Sequence, residues 1–567
     1  MQHAFRRSSG EEQPIVSILL SAGCESGSAR LDAGERRGGE APLQGPLQCT
    51  TLASAFLQAA AECPDRPALV MGRRAYSYRW LLWAASEVCR RLLGSGQFAP
   101  RDRVVLLLEN SAEYVAAFYG VLLARGVVVP LPPAVERHRL QHLLALCGAR
   151  VVLSSPTAAE RRLEWVRGPT QHASLGQAGP PSLPCAPGEA QAAPAPAMII
   201  FTAGSTGEPK GVMLSDANLL ANARSIVQYL PIRSDDRALA ILPFCHAYGN
   251  AVLQTHILSG ATLVVEGSLT FPQTVMDALR RGRATSLAGV PEVFHALLRA
   301  SDLGRQPCPS LRYMTVAGGA LAADKAREVA ERIAPAEFYV MYGQTEATAR
   351  LAYLQPDQLS LRPGSLGRAI PGVELRVVDE AGRDLPPSCP GELWARGPNV
   401  MLGYWNDPAA TQAAIRDGWL RTGDIVSRDE EGYFYFHART SELVKLQGVR
   451  FHPREVEDAI AAAFPVCRPL VVPFRHRDAH RLALFLVPRA AADVPLDDIR
   501  RWCLRELPRW KVPVLIEVLP QAPLTDALKL DRVALVRRAE AQANALAAGR
   551  LASGESCHEF DEHQERE

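Results

Sequence analysis

"FTAGSTGEPKGVMLS" runs from Phe201 to Ser215, and the fold turns on how it is read. Three glycines, three hydroxyl residues and one lysine fall within ten positions. An apolar run, "AMII", leads in, and a helix-like stretch, "SDANLLANARSIVQYL", leads out. Glycines let a backbone approach a ligand closely, and their unpaired N–H groups face oxygen anions, so a strand, Gly-rich loop and helix in series make a phosphate cradle. Ser205 and Thr206 add donors and Lys210 adds a point charge. The loop is not a Walker A motif, which needs Gly directly before the lysine and Ser or Thr after it. Here Pro209 precedes and Gly211 follows. A plain flexible turn has the same composition, so the loop alone leaves both readings open.

Outward from the loop, β-branched runs such as "DRVVLLLEN", "GVVVPLPP" and "ARVVLSS" alternate with helical stretches such as "RWLLWAASEVCRRLLGSG". Such alternation predicts repeated β-α units and an α/β fold. The 567 residues are too many for one core. Composition predicts a disordered leader over 1–46, a large domain over 47–439, a small domain over 440–540 and a disordered tail over 541–567. The Pro/Ala/Gly-rich stretch 169–197 reads as a surface connection.

The balance of 62 basic and 60 acidic residues, net charge +2, gives no electrostatic case for nucleic acid. The longest apolar stretch, Val115 to Pro133, is interrupted by Arg125, so no membrane span is expected. Twelve scattered cysteines without a Cys-x-x-Cys pair suggest a reducing cytoplasm and no structural zinc. The first residues fit a signal peptide poorly, because Glu11 and Glu12 interrupt the pattern.

The string "TAGSTGEPKG" resembles the phosphate loop of the AMP-forming adenylating superfamily, which includes acyl-CoA and aryl-CoA ligases, peptide-synthetase adenylation domains and luciferases. Ala203 stands where that family more often has Ser. Other motifs follow in order across about residues 50 to 535. "YGQTE" spans Tyr342, Gly343, Gln344, Thr345 and Glu346. The resemblance implies an aromatic ring on adenine, a threonine on phosphate oxygen and a glutamate that helps hold Mg²⁺. "VAGGA" ends in Gly318, Gly319 and Ala320, and resembles the adenine loop and the floor of the acid pocket. Asp424 of "RTGD" and Arg439 of "GYFYFHART" match the ribose grip. "KLQGVRFHPREVE", with Lys445 and Gly448, resembles the loop that opens a small mobile C-terminal domain, and Lys529 matches that domain's catalytic lysine. The hinge position is Ser441, where the family usually has Asp or Lys, and Leu528 replaces the common Gly before the lysine. In the phosphate loop, Thr202, Gly204, Ser205, Thr206 and Gly207 would cradle ATP, with Lys210 and Thr206 beside the phosphates and metal.

The resemblance implies a large multi-subdomain α/β domain with a small α+β domain, and two half-reactions. A carboxylate would attack the α-phosphorus of ATP, and the acyl-adenylate would then pass its acyl group to a pantetheine thiol of CoA or of an acyl carrier protein. "LPFCHAYGNAVLQTHILSGATLV" resembles the segment bordering the acid pocket, with His246 and Tyr248 facing the acid. No carboxylate accompanies Cys245, His246, Ala247 and Tyr248, so a neutral acid tail, fatty or aryl, is favoured over an α-amino acid. No long insertion separates Glu346 from "GSLGRAIPG", unlike acyl-AMP ligases that do not use CoA. A binding protein that had lost catalysis would lack some of Lys210, Glu346, Asp424, Arg439 and Lys529; all are present. A luciferase-type monooxygenase would share every motif.

Overall fold

The β-branched runs line up in two large sheets. The computed structural model describes residues 16–21, 41–154, 171–174, 195–203, 208–266, 271–440, 444–446, 449–451, 453–476, 479–489, 494–525, 530–547 and 558–559. Among these, an eight-stranded sheet has the order Gly403–Tyr404, Pro209–Ser215, Pro196–Ala203, Val127–Pro130, Arg103–Leu107, Val151–Ser154, Val16–Ser21 and Gln171–Ser174. Its central strands Val127–Pro130, Arg103–Leu107 and Val151–Ser154 are parallel and almost wholly buried. Parallel strands covered on both faces read as continuous apolar runs, which is what "VVVP" and "VVLS" are. The helices Tyr78–Gly94 and Ala112–Leu123 cross closely: a Cβ on Gly120 would lie 2.6 Å from that of Val88.

The second large sheet carries a parallel run of Pro67–Met71, Thr262–Val264, Arg237–Leu239, Ser286–Gly289, Tyr313–Val316 and Glu337–Tyr342. It then turns antiparallel through Ala352–Leu354, Ser365–Ala369, Phe434–Arg439 and Trp419–Arg428. The C-terminal ends of the parallel strands open onto the loops that hold the motifs, the edge where open α/β sheets bind ligands.

The last part of the chain has its own sheet. Cys467–His476 and Ala479–Pro488 form an antiparallel pair, and Leu515–Val518 joins in parallel. Alternate residues serve two cores, as strand geometry requires. Val471 faces the helices Pro453–Ala463 and Leu496–Glu506, while Leu470 and Val472 face Arg532–Ala547. Arg468 reaches Glu292 of the large body at 3.2 Å. The fold is α/β with a small α+β unit, as the sequence implies.

Three details differ from the sequence reading. The strand Val16–Ser21 falls inside the leader read as disordered and pairs with Val151–Ser154 and Gln171–Ser174; its run "VSILLS" is apolar enough to extend the sheet. Gln171–Ser174 likewise lies in the stretch read as a surface connection. At the other end, the helix Arg532–Ala547 continues past 540, and His558–Glu559 pairs with Leu515–Val518.

Candidate active site

The phosphate loop does not open into a helix. Pro196–Ala203 and Pro209–Ser215 are antiparallel partners, with Thr202 opposite Lys210 and Phe201 opposite Gly211. The helix Asp216–Tyr229 begins only after the second strand, capped by Ser215 through the N–H of Asn218. The run "KGVML" pairs as a strand before helical periodicity begins, so the helix N-terminus is a full strand away from the loop. The described strands therefore set Thr202 and Lys210 on either side of the loop, without that helix's dipole. Thr202 Oγ1 donates to the carbonyl of Lys210 at 3.4 Å. Gly204, Ser205, Thr206 and Gly207 lie outside the described residues.

Lys210 Nζ sits 5.1 Å from the ring centroid of Tyr404. The Tyr404 hydroxyl donates to Glu346 Oε1 at 2.9 Å. Burial, then the Glu346 carboxylate, hold that phenol protonated well above its ordinary range. Lys210 and Glu346, separate in sequence, thus flank one tyrosine brought in by the edge strand Gly403–Tyr404. Among the described residues no cluster of three or more His, Cys, Asp or Glu could cage a metal. A half-buried carboxylate with one oxygen already hydrogen-bonded instead fits Mg²⁺ that arrives on a nucleotide's phosphates.

The segment after Tyr342 is a strained turn. Thr345–Ala347 is a short 3-10 helix, and Thr348 and Ala349 follow with φ of 55° and 97°. Two consecutive non-glycine residues at positive φ need support from outside. Asn399 Nδ2 donates to the carbonyls of Ala347 and Arg350, at 3.1 and 2.7 Å, and Thr348 Oγ1 donates to that of Asn399 at 2.6 Å. Gly343 has no room for a side chain, since a Cβ would meet the Ala349 carbonyl oxygen at 2.2 Å.

Asp424 and Arg439 stand opposite each other in register on two antiparallel strands. Arg439 Nε donates to Asp424 Oδ1 at 2.7 Å, and the Tyr342 hydroxyl donates to Oδ2 at 2.5 Å. The Asp424 side chain is 1% exposed, and that of Arg439 is 46% exposed. Burial, then the neighbouring Asp424, keep the Tyr342 phenol protonated. Asp424 is thus the fixed centre, anchoring an aromatic ring on one side and an accessible guanidinium on the other.

Gly318, at φ 86°, turns the chain out of Tyr313–Val316, and Gly319 and Ala320 are exposed beyond it. His246 is the N-cap of the helix Ala247–Leu258. Tyr248 shares a 2.7 Å hydrogen bond with Thr315 Oγ1. Beneath these residues lies a cavity of about 20 Å³ lined in part by Tyr248, Thr255, Thr315, Met341 and Arg350. Gly448, Ser441 and Lys529 lie outside the described residues; Lys445 falls on the short strand Val444–Leu446. The sequence reading missed Tyr404, Asn399 and Arg350. Tyr404 carries a faint signal, an aromatic in "LGYWND" between glycine and turn residues.

Comparison with known proteins places this geometry. The sequence profile of the family described as AMP-binding enzyme matches residues 56–405. The chain belongs to the AMP-binding enzyme family. It is 29% identical over 489 residues to a feruloyl-CoA synthase of Amycolatopsis sp, covering 84% of this chain and 96% of that protein. An indoleacetate–CoA ligase of Aromatoleum aromaticum is 30% identical over 497 residues, with the same coverage. Among solved structures, o-succinylbenzoate CoA synthetase of Bacillus subtilis, bound to its acyl-adenylate intermediate, superposes with a TM-score of 0.72 at 26% identity. That match covers 85% of this chain and 97% of the other. The protein is an AMP-forming acid–thiol ligase of the acyl-CoA synthetase type. No helix among the described residues is long and apolar enough to cross a membrane.

Proposed function

We propose that this enzyme joins a carboxylic acid to the thiol of CoA in two half-reactions within one cleft. The observation that carries the proposal is the bonding of Arg439, Asp424 and Tyr342 into one unit, residues far apart in sequence. Asp424 accepts both bonds and fixes the unit in place. This unit would grip the ribose hydroxyls while Tyr342 holds adenine against the loop Gly318 to Ala320.

In the first half-reaction a carboxylate oxygen of the acid bonds to the α-phosphorus of ATP, and pyrophosphate leaves with the electron pair of the broken P–O bond. Both reactants are anions, so charge stabilisation dominates the barrier. Lys210 would meet charge on the leaving pyrophosphate, and Lys529 charge on the α-phosphate and the acid's oxygen. Thr206 and Glu346 would hold Mg²⁺, which when bound supplies neutralisation of phosphate charge. Thr345, Ser205 and the glycines at 204 and 207 would orient the phosphates.

In the second half-reaction the thiol attacks the acyl carbon and AMP departs. We assign this step to a second arrangement of the C-terminal unit, hinged at Ser441, with Lys445 and Gly448 beside the pantetheine arm. An acyl carrier protein presents the same arm. The domain limits 47–439 and 440–540 belong to this proposal, as does a reducing, cytoplasmic setting, which suits the nine free cysteines among the described residues.

The test is acid-dependent exchange of labelled pyrophosphate into ATP, followed by addition of CoA. Exchange with a carboxylic acid, then release of AMP and an acyl thioester on adding CoA alone, is the expected result. Exchange that proceeds without CoA turnover, and turns over only with a pantetheinylated carrier, would replace the acceptor. Absence of exchange with every acid would overturn the reading.

A further inference from the structure

Arg350 is 3% exposed. Its Nη1 donates to the Ala349 carbonyl at 3.0 Å and its Nε to the Met341 sulfur at 3.3 Å. The guanidinium lies 4.1 Å from the Tyr248 ring centroid. No carboxylate among the described residues pairs with it, whereas Arg312 pairs with Asp236 and Arg439 with Asp424. A buried cation without an anion is costly and rarely kept without a use.

The surroundings say where its partner would come from. Arg350 lines the cavity beside Tyr248, and the cavity's volume of about 20 Å³ holds one water-sized group. Met341 and Tyr342 are consecutive on one strand and so face opposite sides of the sheet. Tyr342 points to Asp424, and Met341 to the cavity. The strained turn at Thr348 and Ala349, pinned by Asn399, is what carries Arg350 inward. Strain held this firmly is characteristic of functional positions.

We infer that Arg350 sets the choice of acid: it takes a second oxyanion, at the far end of a short acid whose reacting carboxylate lies near His246. This rests on the ligase reading and narrows its substrate class. It revises the neutral tail expected from the sequence, where the absence of an acid near His246 excluded an ammonium but left a distant cation unseen. A long fatty chain finds no room beside Arg350 and Met341 in this arrangement.

The experiment measures pyrophosphate exchange with diacids against monoacids of equal length, succinate with butyrate, glutarate with valerate, and phthalate with benzoate, in the wild type, Arg350→Met and Arg350→Lys. The wild type should prefer at least one diacid. Arg350→Met should lower that diacid-to-monoacid ratio of kcat/KM about 100-fold, the loss typical of one partner of a buried charge pair, chiefly through KM. Arg350→Lys should restore part of it, since charge returns without the planar fork. A second readout needs no turnover and no variant: with AMP present, the preferred diacid should raise the wild-type Tm and its monoacid partner should not. Monoacids preferred by the wild type, or a ratio unchanged in folded Arg350→Met, would overturn the inference and leave the ligase reading standing. Exchange with no acid at all would overturn both.

Discussion

Two arginines stand at the places proposed for the nucleotide and for the acid, and they are held in opposite ways. Arg439 is half in solvent and bonded to a carboxylate buried behind it. Arg350 is wholly inside and has an aromatic face, a sulfur and a carbonyl for company. At the end proposed for the nucleotide, Asp424 fixes Tyr342 and Arg439, and Tyr404 fixes Glu346. At the end proposed for the acid, Arg350 has no carboxylate partner among the described residues. A site for an invariant cosubstrate can be finished in advance, whereas a site that selects among acids leaves its deciding contact to the acid.

The contrast can be broken at its strongest point. Asp424→Ala should leave the buried Tyr342 hydroxyl and Arg439 without their acceptor, costing about 3 kcal/mol, the lower end for breaking a buried pair because Arg439 is half exposed. Chemical denaturation should show that loss, and KM for ATP should rise by orders of magnitude; an unchanged KM would remove Asp424 from the nucleotide site.

Where the small unit meets the large one, like charges face each other. His295 is pushed down to about 4, first by burial, then by Arg468, Arg489 and Lys325, with Asp324 opposing. Glu292, on the same helix, pairs with Arg468. An unfolded histidine titrates near 6.5. Above that pH neither state holds the proton and stability is full. As pH falls from about 6.5 towards 4, the unfolded chain takes up a proton that the folded one refuses, so about 3 kcal/mol is lost across that window. Denaturation midpoints followed through this range should flatten in His295→Gln; an identical acid limb would exclude His295 as its source.

Tyr404→Phe sharpens the nucleotide side with a smaller effect. Glu346 loses one charge-assisted hydrogen bond, about 1.5 kcal/mol, so kcat/KM for MgATP should fall roughly tenfold and added Mg²⁺ should recover part of it. An unaltered Mg²⁺ titration would separate Glu346 from the metal. The smallest effect belongs to the other end. Arg350→Met removes a cation that leaves no carboxylate behind, so Tm should stay within about 2 °C of the wild type or rise. A fall of many degrees would make Arg350 a structural residue.

The motifs proposed for the nucleotide stand out in the sequence because their chemistry is local. Glycines and hydroxyls around Lys210, the string "YGQTE" and the Asp of "RTGD" each carry their reason within a few residues. What joins them was not legible. Tyr404 meets Glu346 across 58 positions and Tyr342 meets Asp424 across 82. Arg350 reads as an ordinary charge after a motif, and only the turn at Thr348 and Ala349 reveals that it points inward. Helical periodicity after Ser215 was read correctly, yet the strand before it was hidden, because "KGVML" pairs across its own loop and with Gly403–Tyr404 nearly 200 positions on. The leader's short apolar run became a strand for a similar reason: its partners at Val151–Ser154 and Gln171–Ser174 are far along the chain.

The central claim is that a carboxylate oxygen attacks the α-phosphorus of ATP, and isotope transfer tests it most directly. An acid labelled with ¹⁸O in its carboxylate is turned over with ATP and CoA, and the phosphorus products are examined by mass spectrometry. The account predicts one ¹⁸O in AMP and none in pyrophosphate, because the oxygen that bridges acid and phosphorus departs with AMP when the thiol attacks. Label in inorganic phosphate, with ADP as the other product, would mean attack at the γ-phosphorus and would contradict it.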